Sequence, residues 1–440
     1  MRMMSRPIDI YLPERIVHPK QTDNNGSIKP LMRPQQSLYL GLLIFPLSPL
    51  LGGIAIVGVT AWHWWQDGRS HLQQPLTWSF TLAALLLLLS SLQAHDPSIS
   101  LLGLANILPF MVICIASRAL IQHPQHRQHL SQAIVLSSLP VALIGLGQQY
   151  LGWHGPIHLG WLISWDLEAG GTPPGRMASV FGYANSLANF SLIAWTLAIG
   201  LTLQAWRSQQ RAQVATGLLL ICLNSIVLFE TSSRNSWAVA IVIALIYGIL
   251  LRWYWLLGVI GAIAAIIIGA AFGPPPLQSP LQQIVPRAIW ARLNDDLYPN
   301  RPVETLRITQ WQFAWDLSQE RPLWGWGLRQ FPQLYQAETG AWLGHPHNLP
   351  LMFLSETGIL ATLALFIPIG WIYYQGVRHL KHLGTLNLIP LSILLAFTAT
   401  SLFHLVDVTL FDARVNILGW LLLAAIDSHQ PDLRPSQITL

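Results

Sequence analysis

His345-Pro346-His347-Asn348 sets two imidazoles where the polar stretch 274–346 gives way to a strongly apolar run. Imidazole is the side chain that takes and releases protons near neutral pH. At such a boundary it would face the longest soluble segment, where chemistry on a membrane-held substrate needs a titratable group. The arginines are arranged in a matching way. Arg176 lies ahead of one apolar run, and Arg234 occupies the short turn Thr231-Ser232-Ser233-Arg234-Asn235 between two others. The stretch 274–346 carries Arg287, Arg292, Arg301, Arg307, Arg321 and Arg329 but no lysine. Guanidinium is planar, weakly hydrated and bidentate towards phosphate. Arg176, Arg234 and His347 on one face of a membrane are what a lipid-linked pyrophosphate would require. Plainer readings exist for each: a snorkelling helix-end cation for Arg234, a loop cation for Arg176, a surface turn for His-Pro-His. Two imidazoles without a firm third ligand give little support to a metal site, and no metal or other cofactor is expected.

The elements that must position these groups are membrane helices. Of the 440 residues, 52% are hydrophobic and only 10% charged, against about 25% charged in soluble domains. The mean hydropathy is +0.44. The chain lacks the charge to cover a soluble surface and reads as an all-α integral membrane protein in contact with membrane lipids. Its 20 Trp fit the same setting, because indole favours the membrane–water interface. A formal net charge of +5 is modest and reflects orientation in the membrane; no nucleic-acid partner is expected. Cys114 and Cys222 both fall inside apolar runs and read as unpaired core residues. The polar, Pro-containing start does not read as a cleavable signal peptide, so the first apolar segment is expected to act as an uncleaved anchor.

Segments of about 20 apolar residues cross a bilayer. The first apolar block is too long for one upright helix and is interrupted by Pro46 and Pro49, so it reads as two helices. That makes about twelve spans. The positive-inside rule supports the count: with Arg2, Arg6, Arg15, Lys20, Lys29 and Arg33 held in the cytoplasm, most of the other basic short loops fall on the same side. The expected organisation is a cytoplasmic tail 1–37, spans one to nine over 38–273, an outer loop 274–346, spans ten to twelve over 347–427, and a cytoplasmic tail 428–440. The outer side then receives the loop around 151–182, the turn at Arg234, the long loop, and the turn near Asp407.

The long loop carries its own pattern. Around 303–320 an amphipathic helix is expected, with Leu306, Trp311, Ala314, Trp315 and Leu317 near one face. It would rest on the membrane, cap the bundle or cover a cavity. The glycine-punctuated turn Leu323-Trp324-Gly325-Trp326-Gly327 could lay its aromatics on the headgroups, and Phe331 and Tyr335 follow at i, i+4 spacing.

Taken in order, these motifs resemble one family. His347-Asn348, nine residues, Gly358, two residues and Ala361 is similar to the signature of the bacterial O-antigen ligase and O-antigen polymerase superfamily, with Ala361 in place of its usual last glycine. Ser233-Arg234-Asn235-Ser236-Trp237 resembles the family's Ser-Arg-Gly-Ala-Trp helix start. Arg176, Phe181-Gly182 and Asn185 resemble its Arg…Gly…Asn segment, and Arg307…Trp311 with Pro322-Leu323-Trp324-Gly325-Trp326-Gly327 its outer-loop helix and turn. The likeness runs over about 130–427. Asp407-Val408-Thr409-Leu410 looks like a cyanobacterial branch once proposed to handle inorganic carbon.

The resemblance implies a transferase in the bacterial inner membrane, both termini cytoplasmic. It would move a glycan from an undecaprenyl-pyrophosphate donor to a glycan or glycolipid acceptor hydroxyl on the periplasmic side, without a metal. By motif, Arg176 and Arg234 would bind the pyrophosphate, with Arg307 a further contact on the loop helix. His347 would activate the acceptor or hold the pyrophosphate. His345, Asn348, Glu356 and Arg414 are secondary candidates; Glu356 lies nine residues beyond His347, about two and a half helical turns. Asp407, Asp412 and Arg414 either line the cavity or pair with one another. Three alternatives remain: a polymerase of the same superfamily, a small-anion (bicarbonate) transporter, and a non-catalytic scaffold. The one-sided placement of the charges and the lack of an internal repeat favour the enzyme.

Overall fold

The computed structural model describes residues 33–160, 162–294, 296, 300, 302–382 and 387–428. The basic tail before Arg33 and the segment after Ser428, on which part of the orientation argument falls, lie outside the described residues. The chain is built almost wholly from helices. In order these are α1 (Pro34–Ile44), α2 (Pro49–Leu72), α3 (Pro75–Leu92), α4 (Pro97–Gly103), α5 (Leu108–Leu120) and α6 (Pro124–Tyr150). Then come α7 (Ala184–Arg207), α8 (Arg211–Glu230), α9 (Arg234–Leu250) and α10 (Tyr254–Phe272). The loop helices are α11 (Pro275–Ile284), α12 (Arg287–Leu293), α13 (Arg307–Glu320) and α14 (Phe331–Thr339). The chain closes with α15 (Leu349–His382), α16 (Leu388–Phe403) and α17 (Ala413–Asp427). Proline opens six of the first eleven helices, at the position where its missing N–H costs nothing. Ser48, Asp96, Ser233 and Asp412 cap helix starts through their side-chain oxygens.

The expected break in the first apolar block is present between Ile44 and Pro49. Helices occupy all the expected membrane segments, α4 and α5 together forming one. Among the described residues, seven are long and apolar enough to cross a membrane; α9 and α16 are apolar but shorter. At 1.5 Å per residue, the 11 residues of α1 reach only about 16 Å, half of a ~30 Å hydrocarbon core. The span Ala184–Arg207 is 78% buried and lies at the centre, whereas Tyr254–Phe272 is 11% buried and lies at the edge with its apolar side chains turned outwards. Both cysteines are free, and Cys114 is buried as expected, but Cys222 is exposed on α8, which corrects its reading as a core residue.

Two further expectations are corrected. The chain is nearly rather than wholly all-α: the loop after α6 folds into an antiparallel hairpin, β1 (Gly155–Leu159) with β2 (Ile163–Leu167). The hairpin docks on the α1–α2 break, where Trp165 Nε1 donates to Leu47 O at 2.7 Å. The buried face of α13 is also rotated from the expected one. Gln310, Ala314, Leu317 and Ser318 are buried, and Trp315 is half exposed. A polar residue is turned inwards because α13 packs over α15 and the His347 loop rather than on lipid.

The long helix α15 is interrupted at Gly358, whose φ of 71° and ψ of 174° belong to a region open essentially to glycine alone. A break inside a membrane helix frees backbone groups that need partners. The turn Pro322–Gly327 supplies them. Ile359 N donates to Pro322 O at 2.8 Å, while Trp326 N and Gly327 N donate to Ser355 O and Glu356 O at 3.0 and 2.6 Å. Ser90 of α3 closes the arrangement by donating to Trp324 O at 2.6 Å. The aromatic turn is therefore plugged into the helix break rather than laid on headgroups. Trp326 Nε1 donates to Leu317 O, and the Arg321 guanidinium lies 4.1 Å from its ring.

A Cβ at Gly358 would lie 2.6 Å from Trp324 N. Gly358→Ala should therefore cost more than the ~1–3 kcal/mol of backbone strain alone, read as a clear fall in the thermal midpoint of the purified protein in detergent. An unchanged midpoint would refute the docked turn.

Candidate functional site

Five loop and helix-end segments meet above α7. The turn after α8 is tight enough to put Ser232 at φ 48° and to start α9 at Arg234. Gly175 at φ 80° turns the chain into Arg176, which crosses to that turn: its Nε donates to Thr231 O at 2.8 Å. Arg234 Nη1 reaches the loop helix α12, donating to Arg292 O at 2.9 Å. The result is a cavity of about 600 Å³ whose wall includes Arg176, Tyr183, Arg234, Arg292, Arg307 and His347. Four candidates drawn from distant parts of the sequence, Arg176, Arg234, Arg307 and His347, thus share one space. Arg292 joins them; the sequence showed it only as one loop arginine among six.

His347 sits in the left-handed region at φ 53°, uncommon for a non-glycine residue and costly unless its surroundings hold it there. Its Nδ1 is 2.8 Å from Gln310 Oε1. The direction of that bond follows from the far side of the amide: Gln310 Nε2 donates to Thr305 O at 3.2 Å, and a carbonyl can only accept. The oxygen of Gln310 therefore faces His347 and Nδ1 carries a proton, so that Nε2 is the nitrogen that accepts or holds the second one. Gln310 escaped the sequence reading because its inward orientation depends on where α13 packs.

Asp407 lies behind the two histidines, 1% exposed, with its Oδ1 4.0 Å from His347 Nε2 and 3.9 Å from His345 Nε2. It accepts hydrogen bonds from Asn185 Nδ2 and from Val408 N. Asn185 in turn accepts from Arg176 Nη2 through its Oδ1. Arg176, Asn185, Asp407 and the imidazoles form one connected polar group. Such connection is what a buried carboxylate requires.

His345 stacks edge-on against His347 at 4.5 Å, and its Nδ1 accepts from His347 N at 3.2 Å. Burial, reinforced by His347, pushes its pKa down to about 4, with Asp407 opposing and His404 and Arg307 adding to the fall. His345 is neutral at physiological pH, with its proton on Nε2. That bears on metal binding. His345, His347 and Asp407 offer ligand atoms within 4.8 Å of one another, but His345 Nε2 would have to lose its proton and its Nδ1 bond to serve. His347 Nε2 and Asp407 are the members placed to accept a proton, an arrangement suited first to moving one.

The other candidates are held elsewhere. Asn348 caps α15, accepting from Leu351 N and donating to Leu405 O, both at 2.9 Å. Glu356 is buried beneath the docked turn and accepts from Phe331 N at the start of α14 at 3.1 Å. Arg414 pairs with Asp412 at 2.8 Å and donates to Val180 O and Phe181 O, tying α17 to the segment before α7. None of the three is among the residues lining the cavity. Of the acids in the turn between α16 and α17, Asp412 makes the structural pair, while Asp407 lies against the histidines.

Fold and site together describe a helical membrane protein with an arginine- and histidine-lined cavity at one end of its bundle. Residues 216–366, about a third of the chain, match the family model described as O-Antigen ligase, in agreement with the resemblance of the motifs to that superfamily. The Ser233–Trp237, Arg307–Gly327 and His347–Ala361 motifs fall inside the matched range; Arg176 and Asp407 fall outside it. No curated relative matches the chain.

The depressed His345 pKa gives a pH dependence. The unfolded chain binds this proton more readily, so the contribution of neutral His345 is intact above pH 6.5 and lost as pH falls towards 4. His345→Asn keeps an acceptor near the Nδ1 position but cannot titrate. It should flatten the fall of the thermal midpoint over that window; an unaltered slope would show that His345 does not titrate as described.

Proposed function

We propose that the protein is a membrane glycan transferase of the O-antigen ligase type, acting at the outer face of a bacterial inner membrane with both termini cytoplasmic. The donor is a glycan on a polyprenyl pyrophosphate, and the acceptor is a hydroxyl of a glycan or glycolipid. The observation that carries this reading is the convergence of Arg176, Arg234, Arg292, Arg307 and His347 on one cavity at an end of the bundle. Guanidinium groups held in place can stabilise charge that develops on a leaving pyrophosphate without rearranging during reaction.

The geometry supports the following roles. The arginines hold the donor diphosphate. The acceptor hydroxyl lies against His347 Nε2, which takes its proton as the oxygen attacks the anomeric carbon. The bond from that carbon to the phosphate oxygen breaks, and the electron pair leaves with the lipid pyrophosphate. Gln310 holds the ring in the tautomer that makes Nε2 its proton acceptor, and the Asp407 carboxylate at 4.0 Å offsets the imidazolium charge. Transfer to a growing glycan instead of a final acceptor would use the same groups, so ligase and polymerase differ here only in the acceptor.

The test is a deletion strain assayed for lipid-linked glycan and for the surface glycan made from it. Deletion should accumulate the lipid-linked form. Wild type should restore transfer, while His347→Ala should transfer about 10²–10⁴-fold more slowly, and Arg234→Ala should also fail to restore it. Loss of anion uptake with unchanged lipid-linked glycan would sink the transferase reading. Full complementation by both variants would sink the site assignment.

A further inference from the structure

Tyr183 is a cavity residue that the reaction above does not use. It holds the extended position before α7, at φ −150° and ψ 129°, directly after Gly182 at φ 67°. The ring is close enough to Arg176, Arg307 and Asp407 to feel their charges. Its hydroxyl lies 3.4 Å from Asn185 Nδ2. The direction of that contact is forced. Asn185 Oδ1 accepts from Arg176, so the remaining amide atom is the nitrogen, with two hydrogens to give. One goes to Asp407 Oδ2 and the other points at the phenol oxygen. Tyr183 Oη is therefore an acceptor on its inner side, and no described residue accepts its own O–H.

We propose that Tyr183 is a donor-binding residue whose hydroxyl donates a hydrogen bond to a phosphoryl oxygen of the diphosphate held by Arg176 and Arg307. This rests on the diphosphate reading given above. Phosphoryl oxygens are pure acceptors, and a phenol among guanidinium groups adds a directional donor without adding charge. Burial, with Asp407 assisting, raises the phenol above its ordinary pKa, so the O–H is retained across physiological pH. The Arg176–Asn185–Asp407 chain then has a second consequence. The amide that links the arginine to the carboxylate also sets the direction of the Tyr183 hydroxyl, so diphosphate binding and the histidine pair share one connector.

The experiment uses the full chain in nanodiscs, with farnesyl pyrophosphate as probe and farnesol as the control lacking the diphosphate. Tyr183→Phe removes only the hydroxyl. It should raise the Kd for farnesyl pyrophosphate about tenfold and leave farnesol binding and the thermal midpoint unchanged. Wild-type affinity in Tyr183→Phe, with Arg234→Ala weakened, would overturn the role of Tyr183 alone. Equal losses for farnesyl pyrophosphate and farnesol would overturn it too, by showing a structural effect. If Arg176→Ala and Arg234→Ala also bind farnesyl pyrophosphate like wild type, the diphosphate reading itself falls.

Discussion

The docking of the Pro322–Gly327 turn into the break at Gly358 is the constraint on which the site depends. A membrane helix cannot leave backbone groups open, and a loop cannot bury its own without partners. Each solves the other's problem here, through three backbone hydrogen bonds between turn and helix. The turn directly follows α13, so the same contact fixes the C-terminal end of that helix over α15. Gln310, three residues into α13, is thereby held against His347. The glycine of the nine-residue spacing acts at a distance: it breaks the helix that His347 precedes, and the loop that fills the break carries the group that orients the imidazole.

The second constraint is electrostatic. Asp407 is almost completely enclosed, where an isolated carboxylate would be far too costly. Its partners come from α7 and from the His345–His347 loop, and Asn185 continues the chain to Arg176. Removing Asn185 would take a hydrogen-bond partner from both the carboxylate and the guanidinium, so these three groups act as a unit. Cation, amide, carboxylate and imidazole are thus fixed in one arrangement before a substrate arrives, the condition under which electrostatic stabilisation of a transition state is most effective.

Much of the site was legible in the residues. Arg176, Arg234, Arg307 and His347 were identifiable because arginine and histidine at the ends of apolar runs are costly and chemically specific, and because their motifs occur in a fixed order. Arg292 was visible only as one loop arginine among six. Gln310 was hidden, since an amide inside a nominally amphipathic helix reads as its solvent face. Asp407 was seen but not separated from Asp412, because both lie within a few residues of Arg414 and only packing shows which one the arginine takes. The β1–β2 hairpin was missed because the loop between Tyr150 and Ala184 has no strong alternating pattern.

The sequence by itself determined the class of protein, the helical segments and the chemistry available. Apolar run length and charge content dictate how a chain meets a bilayer, and side-chain type dictates what a group can bind. Tertiary structure alone decided which groups act together. Proximity between Arg176, Arg292 and His347, the tautomer of His347, and the diversion of Glu356, Asn348 and Arg414 to structural bonds all follow from contacts between segments far apart in the chain. Local pattern does not encode those contacts. They arise where a broken helix, a turn that fills it and a buried carboxylate must satisfy one another's hydrogen bonds.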